Sequence, residues 1–296
     1  GVSTEHKISI QTGLAIAEAI KDRYNLDMIN LDSEIYNAPQ LLVGSDLVFN
    51  ALHGGDGENG SIQAFLDLHH IPYTGSGAKP CKIAMDKNIT KLIAKSVDIQ
   101  TPNWILLKRN QHTGMQLHDN QPSKFSYPYV VKPSCEGSTF GLTIVKEESE
   151  LEEAISYASE YGDEILIEEF IPGRELTVGI LGNKPLPVVE IKPNHNIYDY
   201  ECKYTKGMSE YFVPAELSDS LERSLSEDAL KIYKTIGCRH YARADFRLNE
   251  VGEHYLLEIN TLPGMTSTSL LPKAAKAAGL EFPDLIDTII KIASMD

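Results

Sequence analysis

The chain has 296 residues, of which 42% are hydrophobic and 23% charged, with 27 Lys and Arg against 42 Asp and Glu for a formal net charge of −15. That length suffices for two or three compact domains and a sizeable core. The acidic balance argues against a nucleic-acid-binding surface, which needs a basic face, although a few local lysines and a divalent cation are enough to hold nucleotide phosphates.

The chain opens with "GVSTEHKIS", which is polar and has no signal-peptide core. It starts on Gly1 without an initiator Met, so further residues upstream are expected. The Ser/Thr-rich turn around Glu5 reads as a helix cap, or as a carboxylate for a substrate ammonium group. "GLAIAEAIKDRY" has apolar residues at helical spacing, "SDLVFNAL" reads as a short buried strand ending at His53, and "GSIQAFLDLHHI" as a helix followed by the turn "PYTGSG". This alternation predicts a parallel α/β unit over residues 1–77, with ligands at the C-terminal strand ends. His53 and "GGDGENG" lie at such an end, where a histidine serves structure as readily as chemistry.

Residues 78–170 read as a second, α+β unit: a helix at "MDKNITKLIAKSVD", strands "YPYVVKP" and "LTIVKE", an amphipathic helix "SELEEAISYASEYG" and a strand "EILIEEFI". Residues 171–296 read as a third, with strands "RELTVGIL" and "LPVVEIK", a polar stretch from Asn194 to Met208, a helix around Leu221–Gly237, strands "YARADFRL" and "HYLLEIN", and a closing helix after Pro283. No apolar run reaches the ~18–20 residues of a membrane span. Cys81, Cys135, Cys202 and Cys238 form no C-x-x-C pair and no zinc spacing. The expectation is a cytoplasmic, reducing compartment without a disulfide scaffold.

Four stretches carry candidate chemistry. In "YVVKPSCEGSTFG" a strand ends at Lys132 and runs into a loop with two glycines, through which backbone N–H groups can approach a phosphate. It matches neither the Walker A nor the Rossmann pattern and is otherwise an ordinary hairpin loop. "ILIEEFIPGRE" leaves a unit boundary as an extended segment that can offer backbone groups to an adenine edge, with Glu175 in place for ribose hydroxyls, or is a plain connecting strand. "YDYECKYTKGMSEYF" gathers tyrosines and lysines in a functional or merely exposed loop. The fourth is "RHYARADFRLNEVGEHYLLEIN", an antiparallel hairpin turning near Asn249–Gly252. Arg243 and Asp245 share one face, and Glu258 and Asn260 share one face, by the period of two. Placing Asp245 opposite Glu258 is costly without a compensating charge. A hard divalent cation with Asn260 as a third oxygen ligand would supply it; a solvated outer face is the bland alternative.

Taken in order, Glu5 in "GVSTEHKIS", "ALHGGDGENG", "PYTGSG", "MDK", "VVKPSCEGS", "ILIEEFIPGRE", "YDYECKY", "ARADF" and "LLEINTLPGMTSTSL" resemble the D-alanine–D-alanine ligase family of ATP-grasp enzymes across essentially the whole chain. The resemblance implies a three-domain α/β fold, with ATP between the central and C-terminal domains. It implies that Lys87 and Lys132 contact phosphates, that the loop Glu136–Gly141, including Ser138, closes over them, and that Lys203 assists at the γ-phosphate. The backbone of Glu168, Glu169, Phe170 and Ile171 would hold adenine and Glu175 the ribose. Asp245, Glu258 and Asn260 would bind two magnesium ions, with manganese able to substitute.

For the amino acids, the resemblance implies that Glu5 holds the first ammonium and that His53 lines the substrate site. Arg243 and the Gly264 N–H would stabilise a tetrahedral oxyanion, and Ser269 would bind the second carboxylate. Tyr204 would close the site with Ser138 and Glu5, and a tyrosine there favours D-alanine over D-lactate or D-serine as second substrate. The product would be a peptidoglycan precursor, the partners D-alanine and ATP with neither nucleic acid nor membrane, and the enzyme a homodimer. Two departures stand out: the family's first strand is expected upstream of Gly1, and Thr268 stands where some relatives have His. The alternatives are a ligase for another amino or hydroxy acid, and a nucleotide-binding protein without catalysis.

Overall fold

Two antiparallel sheets organise the chain from residue 104 onward, and helices from both ends of the sequence pack around the second. The computed structural model describes residues 3, 5–31, 38–42, 44–110, 114–117, 126–193, 207–266 and 268–295. The N-terminal part contributes α1 (His6–Ile20), α2 (Ala38–Leu42), α3 (Ser61–Leu68), α4 (Ala78–Met85) and α5 (Lys87–Ser96). In α1 the buried residues Ile8, Thr12, Ile16 and Ile20 recur every fourth position, the spacing that keeps one helical face inside.

The expected parallel sheet in this part reduces, among the described residues, to one parallel bridge between Val48 and Tyr73. Every strand ladder among the described residues is antiparallel. After Val48 the side chain of Asn50 takes over the backbone bonding. Its Nδ2 donates to Gly57 O at 3.1 Å, and its Oδ1 accepts the Leu52 N–H at 3.0 Å. A local side-chain partner thus competes with a ladder. The predicted helix over "MDKNITKLIAKSVD" begins later than expected, because Asp86 is extended and caps α5 by accepting the Ile89 N–H at 3.1 Å.

The first sheet has strand order β2-β1-β5-β3-β4, from β1 (Trp104–Asn110), β2 (Gly114–Leu117), β3 (Tyr129–Pro133), β4 (Thr143–Val145) and β5 (Glu164–Glu169). Helix α6 (Leu151–Ala158) covers it with Ala154 and Ala158 over Val131, Ile165 and Ile167. The second sheet is built from β6 (Arg174–Leu181), β7 (Lys184–Pro185), β8 (Val189–Pro193), β9 (Ser209–Phe212), β10 (Tyr241–Leu248) and β11 (His254–Asn260). Its order is β11-β10-β6-β8-β9, with β7 paired to β6. Its helices are α7 (Asp219–Ile236), α8 (Leu270–Ala277) and α9 (Phe282–Ala293).

Alternation decides the layers of the second sheet. Leu176, Val178 and Ile180 of β6 and Ala242, Ala244 and Phe246 of β10 point to one side and form a core with α7 residues Leu225, Ala229 and Ile232. The intervening residues point to the other side. There α8 comes so close at Gly179 that a Cβ would lie 2.6 Å from Leu271 Cδ1, so any larger residue would push the Leu271 side chain aside. Toward the start of β6 that second face carries Thr177 and Glu175 beside Asp245 and Arg247 of β10, with Val189 and Ile191 of β8 next to them.

Candidate functional site

Two adjoining cavities open on this face. The larger, about 400 Å³, is lined by Glu5, His53, Lys87, Glu136, Ser138, Arg243, Glu258, Asn260, Gly264 and Ser269 among others. The smaller, about 140 Å³, is lined by Lys87, Lys132, Glu136, Ser138, Glu168, Glu169, Phe170, Ile171, Glu175, Arg243, Asp245 and Glu258, with Val130, Ile144 and Leu257 as apolar wall. Lys87, Glu136, Gly137, Ser138, Arg243 and Glu258 belong to both. All of the candidate residues fall in one or both cavities, except Lys203 and Tyr204, which lie outside the described residues.

Strand register builds the charged floor. Across β6 and β10, Glu175 faces Arg247 and Thr177 faces Asp245. Arg247 Nη1 lies 3.4 Å from Glu175 Oε2, and the same guanidinium donates to Ile171 O at 3.0 Å and Gly173 O at 2.9 Å. The Thr177 hydroxyl donates to Asp245 Oδ1 at 2.5 Å. Across β10 and β11, Asp245 does face Glu258, and Arg243 faces Asn260.

A β-bulge follows immediately. Phe246 pairs with Leu256, so Leu257 is an extra residue. The insertion lets Leu256 and Ile259, three apart, both enter the core, while Leu257 and Glu258 both reach the smaller cavity.

The compensating charge for Asp245 and Glu258 comes from the chain itself. Arg243 donates to both Asp245 oxygens at 2.8 Å, and Lys87 Nζ lies 3.1 Å from Glu258 Oε2. Sequence reading gave Arg243 and Asp245 separate tasks. Their shared face puts them within bidentate reach of each other. Asp245, Glu258 and Asn260 form an all-oxygen donor set, which suits a hard divalent cation. Among the described residues no three His, Cys, Asp or Glu side chains group into a metal site. A cation here would therefore need the Asn260 amide, whose Oδ1 also accepts the Leu262 N–H at 2.8 Å, and oxygens of a bound phosphate.

The lysines are held by the junction of α5 with β3. The Lys87 N–H donates to Ser134 O at 3.0 Å, and the Ser134 hydroxyl donates to Asp86 Oδ1 at 3.0 Å. Lys87 Nζ also donates to the Glu136 carbonyl at 2.6 Å. Burial works against the charged form of Lys87, but the Glu258 carboxylate outweighs it and the pKa is raised. Burial pushes the Glu136 carboxyl upward, with Lys87 pulling against it. Lys132 donates to Glu168 Oε1 at 2.9 Å, and Lys91 Nζ lies 2.6 Å from Glu168 Oε2. Burial alone would raise the Glu168 pKa, but two ammonium groups hold it below the ordinary value. In the adjoining segment the Glu169 and Phe170 N–H groups already bond Asn103 O and Pro128 O, at 2.8 and 3.4 Å.

Loop ends and helix starts build the larger cavity. Glu5 precedes α1 but makes no side-chain cap; its buried carboxylate accepts a hydrogen bond from the Ser138 hydroxyl, across the cavity. His53 is buried, with Nε2 2.9 Å from the Thr12 hydroxyl and Nδ1 3.2 Å from Glu58 Oε1. Both ring nitrogens are thus engaged within the wall. Ser269 precedes α8, and its hydroxyl accepts the Thr266 N–H at 3.1 Å beside Gly264.

Sequence reading missed Thr177, Arg247, Glu58 and Lys91. The period of two marks the first two, since Arg247 continues the face of Arg243 and Asp245. Glu58 and Lys91 carry no such signal.

Comparison with known proteins finds relatives over essentially the whole chain. A family model described as D-ala D-ala ligase C-terminus matches residues 93–291, and one described as D-ala D-ala ligase N-terminus matches residues 33–76. A D-alanine–D-alanine ligase from Syntrophotalea carbinolica is 42% identical over 296 residues, covering 100% of this chain and 94% of its own. The solved D-alanine–D-alanine ligase from Bacillus anthracis superposes with a TM-score of 0.87 at 36% identity, covering 99% of this chain and 94% of its own. A solved D-alanine–D-alanine ligase from Bacillus anthracis complexed with ATP gives 0.86 at 34% over the same shares. The VanG D-Ala:D-Ser ligase from Enterococcus faecalis gives 0.79 at 29%, over 98% of this chain and 96% of its own.

Proposed function

The chain belongs to the D-alanine–D-alanine ligase family, and from that premise we propose that it joins two D-alanines with ATP as phosphoryl donor, releasing ADP and phosphate. The observation that carries this reading is the wall shared by the two cavities, where Lys87, Glu136, Ser138, Arg243 and Glu258 face both. ATP in the smaller cavity and amino acids in the larger would meet there.

The carboxylate of the first D-alanine attacks the γ-phosphate, ADP leaves, and an acylphosphate forms. The amine of the second D-alanine then attacks the acyl carbon, loses a proton, and expels phosphate. Such phosphoryl transfer rests mainly on positioning and charge neutralisation. Lys87 and Lys132 supply positive charge to the phosphates, the Glu168–Ile171 segment and Leu257 border the adenine, and Glu175 meets the ribose. Glu5 holds the first ammonium, His53 shapes that wall, and Ser269 takes the second carboxylate. Arg243 and the Gly264 N–H face the oxyanion, as preorganised donors do. The Glu136–Gly141 loop, through Ser138, closes over the phosphates and excludes water from the acylphosphate. Lys203 and Tyr204, outside the described residues, take the γ-phosphate and closing roles named above. Asp245, Glu258 and Asn260 would hold magnesium, or manganese in its place, which neutralises phosphate charge when bound.

Among the described residues no helix is long and apolar enough to cross a membrane. The reading places the enzyme in the cytoplasm as a homodimer making a peptidoglycan precursor. Mass spectrometry of the product from ATP, magnesium and D-alanine, with D-lactate and D-serine as competitors, tests it. D-alanyl-D-alanine with little mixed product is expected. A predominant D-alanyl-D-serine or D-alanyl-D-lactate would overturn the substrate, and ATP binding without any product would make the chain a nucleotide-binding protein only.

A further inference from the structure

Lys91 is 1% exposed and lines neither cavity. A lysine so deeply buried is rare unless paired. Its Nζ lies 2.6 Å from Glu168 Oε2, a contact of charge rather than an aligned hydrogen bond. The same ammonium donates to Thr101 Oγ1 at 2.9 Å and Pro102 O at 3.3 Å, and sits 5.4 Å from the Trp104 ring centroid. From the other side, Lys132 donates to Glu168 Oε1 at 2.9 Å and lines the nucleotide cavity. One carboxylate is therefore shared by two ammonium groups, one at the cavity and one behind it. Burial pushes Lys91 down to about 8 despite Glu168, with Lys132 adding to the fall.

We propose that Lys91 is a positioning residue for ATP: it occupies the rear oxygen of Glu168, so that the carboxylate does not fully neutralise Lys132 and the group presents net positive charge to the nucleotide phosphates. This rests on the smaller cavity being the ATP site. Without Lys91 the remaining pair is neutral, and Glu168 is free to turn wholly onto Lys132. The cost falls on ATP binding and leaves the amino-acid cavity untouched, since no Lys91 contact reaches it. Thr101 anchors the arrangement, accepting from Lys91 and donating to Leu256 O at 2.8 Å.

Steady-state kinetics with both substrates varied, plus calorimetric binding of ADP, test the proposal on the full chain. Lys91→Met should raise the KM for ATP about tenfold, while the KM for D-alanine and kcat stay within about twofold. The double variant Lys91→Met/Glu168→Gln removes the unbalanced carboxylate and should return the KM for ATP to within about threefold of native. A merely structural lysine would leave the double variant no better than the single one. Thr101→Val, which removes an acceptor of Lys91 together with the bond to Leu256 O, should weaken ADP binding about threefold and remains informative if Lys91→Met does not fold. A folded Lys91→Met with native ATP and ADP affinity overturns the proposal, as does a double variant as impaired as the single, or Thr101→Val with native ADP affinity. If the native chain binds ADP but ligates no D-alanine, only the substrate reading fails, and the ADP affinities still decide the role of Lys91.

Discussion

The two cavities share a wall but are built differently. The smaller draws most of its charged groups from strands: Lys132 on β3, Glu168 on β5, Glu175 on β6, Asp245 and Arg247 on β10, Glu258 on β11. Each is fixed by a ladder, and almost every charge has a protein counter-charge within 3.4 Å. The larger draws on residues flanking helices and in loops: Glu5 before α1, His53 in a loop, Gly264, and Ser269 before α8. Its contacts bridge distant parts of the sequence, as in the bond between Ser138 and Glu5, 133 residues apart. On the proposed assignment, the site for the highly charged nucleotide is carried by sheet strands with their own ion balance. The proposed site for the small zwitterion is assembled by converging loops, where individual positions can change without disturbing a ladder.

Substitutions that act on one cavity, or on the wall between them, sharpen or break this comparison. Glu258→Gln touches the shared wall, so kcat should fall at least ~10³-fold, the scale of losing a key electrostatic group in phosphoryl or acyl transfer. Near-normal turnover would mean that the reactants do not meet there. Glu5→Gln should raise the KM for D-alanine about 100-fold, leaving the KM for ATP unchanged, because a charge-assisted hydrogen bond is worth ~1.5–3 kcal/mol. Equal changes in both constants would erase the separation of the cavities. Arg247→Met removes the partner of Glu175 and two backbone contacts, and should raise the KM for ATP about tenfold without affecting D-alanine. A shift in D-alanine KM would count against it.

The smallest effect is chemical. Cys135 is exposed beside Glu136, whereas Cys81 and Cys238 are buried; burial raises all three thiols, Cys81 up to about 11 and Cys238 up to about 12. Because the thiolate is the reactive form, alkylation near pH ~8 should label Cys135 and spare those two. ATP should slow that labelling a few-fold, read by peptide mass spectrometry. Labelling of Cys81 or Cys238 at a comparable rate would show that the cores around the cavities open readily.

The strands of the charged cavity were the most legible part of the sequence. β6, β10 and β11 coincide with "RELTVGIL", "YARADFRL" and "HYLLEIN"; the expected facing of Asp245 and Glu258 is met only through the bulge, since unbroken pairing from the turn at Asn249–Gly252 would put Leu257 opposite Asp245. The N-terminal strand was misjudged, since an apolar run cannot announce that Asn50 will satisfy its backbone. Helices α4 and α8 and strands β1, β2 and β9 were also missed. α4 has Pro80 within it and α8 has Pro272, which weaken a helical signal although proline is tolerated in a first turn.

Composition and alternation alone therefore determined the class of fold, and motif order the family resemblance, which in turn implied the residues that gather at the site. Those are local properties, repeated every two or four positions or carried by short runs. The tertiary structure decided how the charges are balanced: Arg243 turned onto Asp245, Lys87 bridged Glu136 to Glu258, and Lys91 placed behind Glu168. It also decided the bulge at Leu257 that lets a core strand present a carboxylate to a cavity. Such pairings depend on which strand lies beside which and at what register, and on burial that strengthens a charge contact and penalises an unpaired one.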